Sequence, residues 1–249
     1  MPLAEDFMSS APQSRKTRKI SDSLNRQLNT YAQVAAAAGV SLLALAGVSE
    51  AEVVYTKTHQ VTHPGFPLYI DLNHDGIRDF QLRSLYYAGT SGLEVGLDAT
   101  GFDDNRVAGR RFESSGGYFF SAASALRAGA EIGPEGNFSV TYPFMAVELF
   151  KKGGGSQYSD LGPWARKGKG VRNRYLGLKF VIDGEVHYGW ARLNVTLGHQ
   201  QQLDDVVGTL TGYAYETVPD KPITAGRITG PDVITVQPGT LGGLTLGRK

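Results

Sequence analysis

Two runs of alternating apolar residues, separated by Asp183-Gly184, constrain the fold of this chain more than any other stretch. One face of the first run carries Leu176, Leu178, Phe180 and Ile182. The second run extends over residues 185–195. Alternation with a period of two is typical of β-strands, and an Asp-Gly connection favours a tight hairpin because both turn positions take positive φ angles. The sequence therefore predicts an antiparallel β-hairpin over residues 175–195.

Shorter segments elsewhere also follow strand patterns, namely residues 53–56, 67–70, 80–83 and 208–216. The 249 residues include 32 glycines, 12 tyrosines and 11 phenylalanines, and this composition favours short strands and turns over helices. Residues 121–128 are compatible with one or two helical turns. We predict a mainly β fold, either an antiparallel β-sandwich or a jelly-roll-like single domain.

Residues 71–80 carry oxygen-bearing side chains at alternate positions, with Gly76 directly after the third. Calcium takes several oxygen ligands at once, from carboxylates, amides and main-chain carbonyls, and a glycine permits the sharp turn around the ion. The predicted calcium ligands are the side chains of Asp71, Asn73, Asp75 and Asp79 and the main-chain carbonyl of Ile77. The alternative interpretation is an Asp/Asn-rich hairpin turn that binds no metal.

The sequence around this acidic loop excludes an EF-hand, which needs flanking helices and a glutamate at its twelfth position. The segments on both sides have strand patterns, and Leu82 occupies the twelfth position. The loop instead resembles the shorter D-x-D/N-x-D-G-x-x-D calcium loop of integrin-type propeller repeats and of many bacterial surface proteins. Four further residues close around the ion, form a second site or belong to a solvated loop: Asp98, Asp103, Asp104 and Asn105.

The charge balance and the cysteine count limit the classes of function. The formal net charge is +1, which gives no support to electrostatic binding of nucleic acid. The chain contains no cysteine, so disulfides, thiolate metal sites and a cysteine nucleophile are excluded. A bound calcium ion would serve as an alternative cross-link, because a ligand that binds only the folded state stabilises it.

Residues 1–51 have the features of a long, helical export signal. Five basic residues between Arg15 and Arg26 precede an apolar run from Ala32 to Val48, and Ser49-Glu50-Ala51 has small residues where a signal peptidase reads the chain. We expect cleavage after Ala51, although a membrane anchor or an amphipathic helix is the alternative. Cleavage would release a secreted or cell-surface domain, residues 52–229, without a stable membrane span. The Gly-rich tail, residues 230–249, is either a last strand or a sorting or assembly segment.

The hairpin over 175–195 presents three side chains of interest, His187, Tyr188 and Trp190. They either pack within the sheet or form an aromatic platform for contact with a glycan or a partner. His187 has no nucleophile near it in sequence and no placeable partner for general-base chemistry. We therefore predict no catalytic residues and a protein that is not an enzyme.

Several segments together resemble a family of exported bacterial β-domain proteins, some of which carry PEP-CTERM-type sorting tails. The matching segments are residues 70–80, 175–180, 187–192, 210–217 and 223–226. The resemblance implies a secreted β-domain without an established enzymatic activity. The tail does not have the apolar span and terminal arginine cluster of a full sorting tail, so anchoring by that route is not expected.

These observations favour a secreted β-domain that calcium stabilises, with a structural or binding role at the cell surface or in the extracellular matrix. Two alternatives stay open. One is a carbohydrate-binding module or glycan-active enzyme that contacts extracellular polysaccharide through the aromatic hairpin. The other is a self-assembling subunit of an extracellular fibre, in which a terminal segment donates a strand to a neighbouring copy.

Overall fold

The computed structural model describes residues 52–89, 92–113, 119–138, 143–151, 158–200 and 205–236. These residues belong to one compact unit. The predicted export segment, residues 1–51, and the end of the tail, residues 237–249, lie outside the described residues. In the described part of the chain, no helix is long and apolar enough to cross a membrane.

The described elements are strands. They are β1 (Val53–Val61), β2 (Leu68–Ile70), β3 (Phe80–Gly89), β4 (Gly92–Gly101), β5 (Arg106–Val107), β6 (Gly109–Glu113), β7 (Phe119–Ala123), β8 (Glu131–Ile132), β9 (Phe144–Lys151), β10 (Tyr158–Leu161), β11 (Val171–Ile182), β12 (Glu185–Leu197), β13 (Val206–Glu216), β14 (Ile223–Thr224) and β15 (Val233–Val236). The prediction of a mainly β fold is confirmed.

A six-stranded sheet with the strand order β15-β1-β13-β12-β11-β5 contains the predicted hairpin. Asp183 and Gly184, between β11 and β12, have φ angles of 51° and 87°. Both turn positions therefore take the left-handed conformation that an Asp-Gly hairpin requires. The hairpin is confirmed, and its strands extend beyond the predicted range to residues 171–197.

A second sheet has the order β2-β3-β4-β9-β7-β6, with β10 also paired to β9. Its edge strand β2 pairs with β3 through Leu68 opposite Leu82 and Ile70 opposite Phe80. The acidic loop connects these two strands, so the predicted strand flanks of the loop are confirmed. The loop lies at one edge of the seven-stranded sheet.

The two sheets pack face to face around one apolar core. Its fully buried members include Phe80, Leu82 and Leu97 from the seven-stranded sheet and Leu178, Phe180, Leu193 and Leu210 from the six-stranded sheet. The two sheets lie close together at Gly208 on β13. A Cβ atom added to this glycine would lie 2.8 Å from Cδ2 of Leu97 on β4. The predicted β-sandwich is confirmed.

A second apolar cluster covers the outer face of the six-stranded sheet. Tyr188 and Trp190 alternate with inward-facing residues of β12 and point away from the main core. The small β8–β14 sheet and the segment after it cover these rings through Ile132, Ile223 and Ala225. The six-stranded sheet therefore buries apolar side chains on both of its faces.

Two strand pairs are parallel, so the sheets are mixed where the sequence led us to expect antiparallel ones. β7 pairs with β9 in parallel, and β15 runs parallel to β1. Residues 217–232, which include β14, connect the end of β13 to the start of β15. Both of these points lie next to Val53 at the start of β1, so β15 runs parallel to β1. The predicted tail, residues 230–249, contains β15. The expectation of a last strand is therefore met by Val233–Val236.

The helical turns considered for residues 121–128 are not formed, and this interpretation is wrong. Ala122 and Ala123 are fully buried at the end of β7, which pairs with β6. Alanine has a high helix propensity, but its small side chain also fits a tightly packed strand, and tertiary packing overrides a weak local preference.

A buried carboxylate also links the two sheets. Glu148 on β9 is fully buried and pairs with Nδ1 of His199, which follows β12. Nε2 of His199 lies 3.0 Å from the carbonyl oxygen of Gly168. Each ring nitrogen of His199 therefore faces an oxygen acceptor.

Two glycines with positive φ test how much the backbone packing contributes to stability. Gly170 has a φ of 64°, and a Cβ atom there would lie 2.2 Å from the Val195 carbonyl oxygen, whereas Gly184 has a φ of 87° and open space around it. We expect Gly184→Ala to lower the free energy of unfolding by about 1–2 kcal/mol through backbone strain alone. Gly170→Ala should cost more, because the β12 backbone must also shift. Urea denaturation measures both, and equal losses would contradict the packing described here.

Candidate metal centre

The acidic loop turns sharply between β2 and β3. Gly76 has a φ of 89° and His74 a φ of 64°, and residues 74–78 are exposed to solvent. The predicted role of Gly76 as the turn residue is therefore consistent with its left-handed backbone. Histidine is one of the few other residue types that adopt this conformation with some frequency.

Three of the predicted ligands are joined by hydrogen bonds within the loop. The Asp75 amide donates to Oδ1 of Asp71 at 3.2 Å and to Oδ1 of Asn73 at 3.4 Å. Oδ2 of Asp71 accepts from the Gly76 amide at 2.9 Å, and Nδ2 of Asn73 donates to Oδ2 of Asp75 at 2.9 Å. The side chains of Asp71, Asn73 and Asp75 thus gather around the backbone of the turn.

The other two predicted ligands are placed differently. The Ile77 amide donates to Oδ1 of Asp75 at 2.7 Å, while the Ile77 side chain points into solvent. Asp79 is buried beneath the loop, where its Oδ2 accepts from the Leu72 amide at 2.6 Å and its Oδ1 accepts from Nδ2 of Asn105 at 3.2 Å. Among the described residues, no three histidine or acidic side chains converge closely enough to hold a metal ion by themselves.

The negative charges of the loop act on one another. The pKa of Asp79 is raised to about 6, mainly by burial and in smaller part by the charges of Asp75 and Asp71, and the hydrogen bonds from Leu72 and Asn105 act in the opposite direction. Burial also raises the pKa of Tyr215 to about 12, with smaller contributions from the same three carboxylates. A positive charge at the loop would relieve this repulsion.

The loop is also anchored to the opposite, six-stranded sheet. Leu72 is fully buried in the main core. It packs against Gly189 on β12, where an added Cβ atom would lie 2.9 Å from Cδ2 of Leu72. Nε2 of His74 lies 2.7 Å from Oγ1 of Thr56 on β1, and its ring lies against that of Tyr213 on β13. A loop that belongs to the edge of one sheet therefore makes contacts with three strands of the other.

Asn105 provides a further link between the loop and the six-stranded sheet. Its Nδ2 donates to Asp79, and its Oδ1 accepts from the Val181 amide of β11 at 3.0 Å. The sequence placed Asn105 in a group with three aspartates but gave no signal to single it out. Of these three, Asp98 pairs with Arg83, and Asp103 and Asp104 are exposed.

The aromatic hairpin residues are buried. Trp190 and Tyr188 have exposed fractions of 0% and 3%, and His187 has 4%. Nδ1 of His187 lies 3.0 Å from the carbonyl oxygen of Glu216. A sugar ring could stack on these side chains only after displacing the elements that cover them, so the geometry gives no support to glycan or partner contact at this hairpin.

Comparison of the chain with protein-family models, with curated proteins and with solved structures found no match. The interpretation of the loop therefore depends on its own residues and geometry.

Two apolar residues of the same loop form a matched pair for testing how the loop is anchored. Leu72 is 0% exposed and Ile77 is 63% exposed. We expect Leu72→Ala to lower the free energy of unfolding by about 2–5 kcal/mol, because it removes a buried side chain and leaves a cavity. Ile77→Ala should change the stability by less than about 0.5 kcal/mol. Chemical denaturation of both variants measures the difference, and similar losses would show that Leu72 does not anchor the loop.

Proposed function

We propose that this protein is a secreted β-domain in which a calcium ion in the 71–79 loop stabilises the sandwich, with a structural or binding role at the cell surface or in the extracellular matrix. The observation that carries this proposal is the position of the loop, which begins and ends in one sheet and is anchored to the other. An ion held there would stabilise the contact between the sheets as well as the turn itself.

The donor chemistry of the loop suits calcium. Asp71, Asn73, Asp75 and Asp79 offer carboxylate and amide oxygens, and Ile77 offers a main-chain carbonyl. These are the hard oxygen ligands that calcium prefers. A carboxylate oxygen has two lone pairs, so Asp79 can keep its hydrogen bonds from Leu72 and Asn105 while it coordinates an ion.

Electrostatics also favours a divalent cation at this place. The buried Asp79 feels the charges of Asp75 and Asp71, and its pKa is raised to about 6. The calcium charge would offset this repulsion, and its binding energy would add to the stability of the folded state. The chain has no cysteine and cannot form disulfides. The bound ion would therefore act as the cross-link of the domain.

Export supports a structural site over a regulatory one. The sequence of residues 1–51 predicts secretion into an environment where free calcium is near millimolar, and even a weak extracellular site is occupied there. A site that is always filled does not report calcium signals. The ion would therefore be a permanent part of the fold.

The first test is the effect of calcium on thermal unfolding. At a calcium concentration about 100-fold above Kd, binding should add about 2.7 kcal/mol, or about 5–10 °C in Tm for a domain of this size. Asp75→Ala should remove this increase, whereas Asp104→Ala, which changes an exposed acid outside the loop, should retain it. A Tm that is the same with calcium and with a chelator would overturn the proposal.

The second test concerns the link through Asn105. Asn105→Ala removes the hydrogen bonds to Asp79 and to the Val181 amide. Because Asn105 would then no longer position the proposed ligand Asp79, calcium binding should weaken by about 10–100-fold. Asn194→Ala is the matched control, because Asn194 accepts a backbone bond from Asn173 at 2.8 Å away from the loop. Calcium titrations of both variants are compared, and equal affinities would show that Asn105 does not position Asp79.

A further inference from the structure

Part of the acidic loop and two neighbouring aromatic residues form an exposed aromatic and cationic surface. On β2, Leu68 and Ile70 face the core, so Tyr69 points outward and is 37% exposed. The guanidinium carbon of Arg78 lies 3.8 Å from the centre of the Tyr69 ring, and the ring of Phe102 lies 6.2 Å from it. We call Tyr69, Arg78 and Phe102, with the exposed Ile77, the loop surface.

Arg78 is held in place without being neutralised by an acid. It is exposed, and in the part of the chain that the structure describes it forms no ion pair with an acidic side chain. A guanidinium stacked over an aromatic ring keeps its in-plane N–H donors available for an anion. Carboxylates are the natural partners of such a pre-oriented group, since they accept two parallel hydrogen bonds.

The calcium site next to it has room for an external ligand. The predicted set of Asp71, Asn73, Asp75, Ile77 and Asp79 supplies five groups, whereas calcium takes about 6–8 oxygen ligands. Residues 74–78 of the loop are exposed. An oxygen from a bound molecule could therefore complete the coordination from the solvent side.

We propose that the loop surface binds the uronic-acid units of an acidic polysaccharide, a proposal that rests on calcium occupying the loop. The ion and Arg78 bind carboxylates, while the rings of Tyr69 and Phe102 pack against the apolar faces of the sugars. A neutral glycan would leave Arg78 without a partner. A flexible acidic peptide would supply the anions without the rigid apolar faces that fit the rings.

Calorimetric titration of the full chain tests this proposal in two steps. Calcium alone is titrated first, and a galacturonic-acid hexamer is then titrated in millimolar calcium and in chelator. We expect the hexamer to bind only with calcium. Arg78→Gln and Tyr69→Ser should each weaken hexamer binding by about tenfold or more, while both variants still fold cooperatively and bind calcium.

The matched controls are Arg172→Gln and Tyr87→Ser, which change an exposed cation and an exposed tyrosine elsewhere on the chain. Hexamer binding should be unaffected in both. Calcium binding without hexamer binding overturns the glycan proposal and leaves the structural role of the ion intact. Absence of calcium binding overturns both. Equal binding of a neutral glucose hexamer or of a glutamate oligomer, or equal loss in the control variants, also overturns the glycan proposal.

Discussion

Burial of both faces of the six-stranded sheet is the constraint on which the rest of the structure depends. Its inner face carries Leu178, Phe180 and Leu193, and its outer face carries Tyr188 and Trp190. A second sheet packed against the six-stranded sheet can shield only one of these two faces from water. The chain therefore forms the seven-stranded sheet on one side and uses β8, β14 and their connections to cover the other.

The same constraint gives the acidic loop its position. The loop leaves β2 at the edge of the seven-stranded sheet, and Leu72 enters the core between the sheets. The polar contacts of His74 with Thr56 and of Asp79 with Asn105 then fix the loop against the opposite sheet. This packing holds Asp79 where the charges of Asp75 and Asp71 raise its pKa, and the proposed cation would offset that repulsion.

Local patterns predicted much of the secondary structure. The Asp183-Gly184 hairpin follows from alternation and turn chemistry, both of which act over a few residues. The strand flanks of the acidic loop follow in the same way. The parallel pairing of β15 could not be predicted, because strand direction in a sheet depends on the path of a long connection. The burial of Trp190 could not be predicted either, since the elements that cover it lie far from it in sequence.

By itself, the sequence determined that this protein forms strands and tight turns and that residues 71–79 carry calcium-type donors, because periodicity and ligand spacing are local properties. Only the tertiary structure decided which surfaces are exposed. It buried the aromatic hairpin, left Tyr69 and Arg78 exposed at the loop, and brought Asn105 to Asp79. These outcomes depend on contacts between residues that are distant in sequence, and such contacts form only when the two sheets pack together.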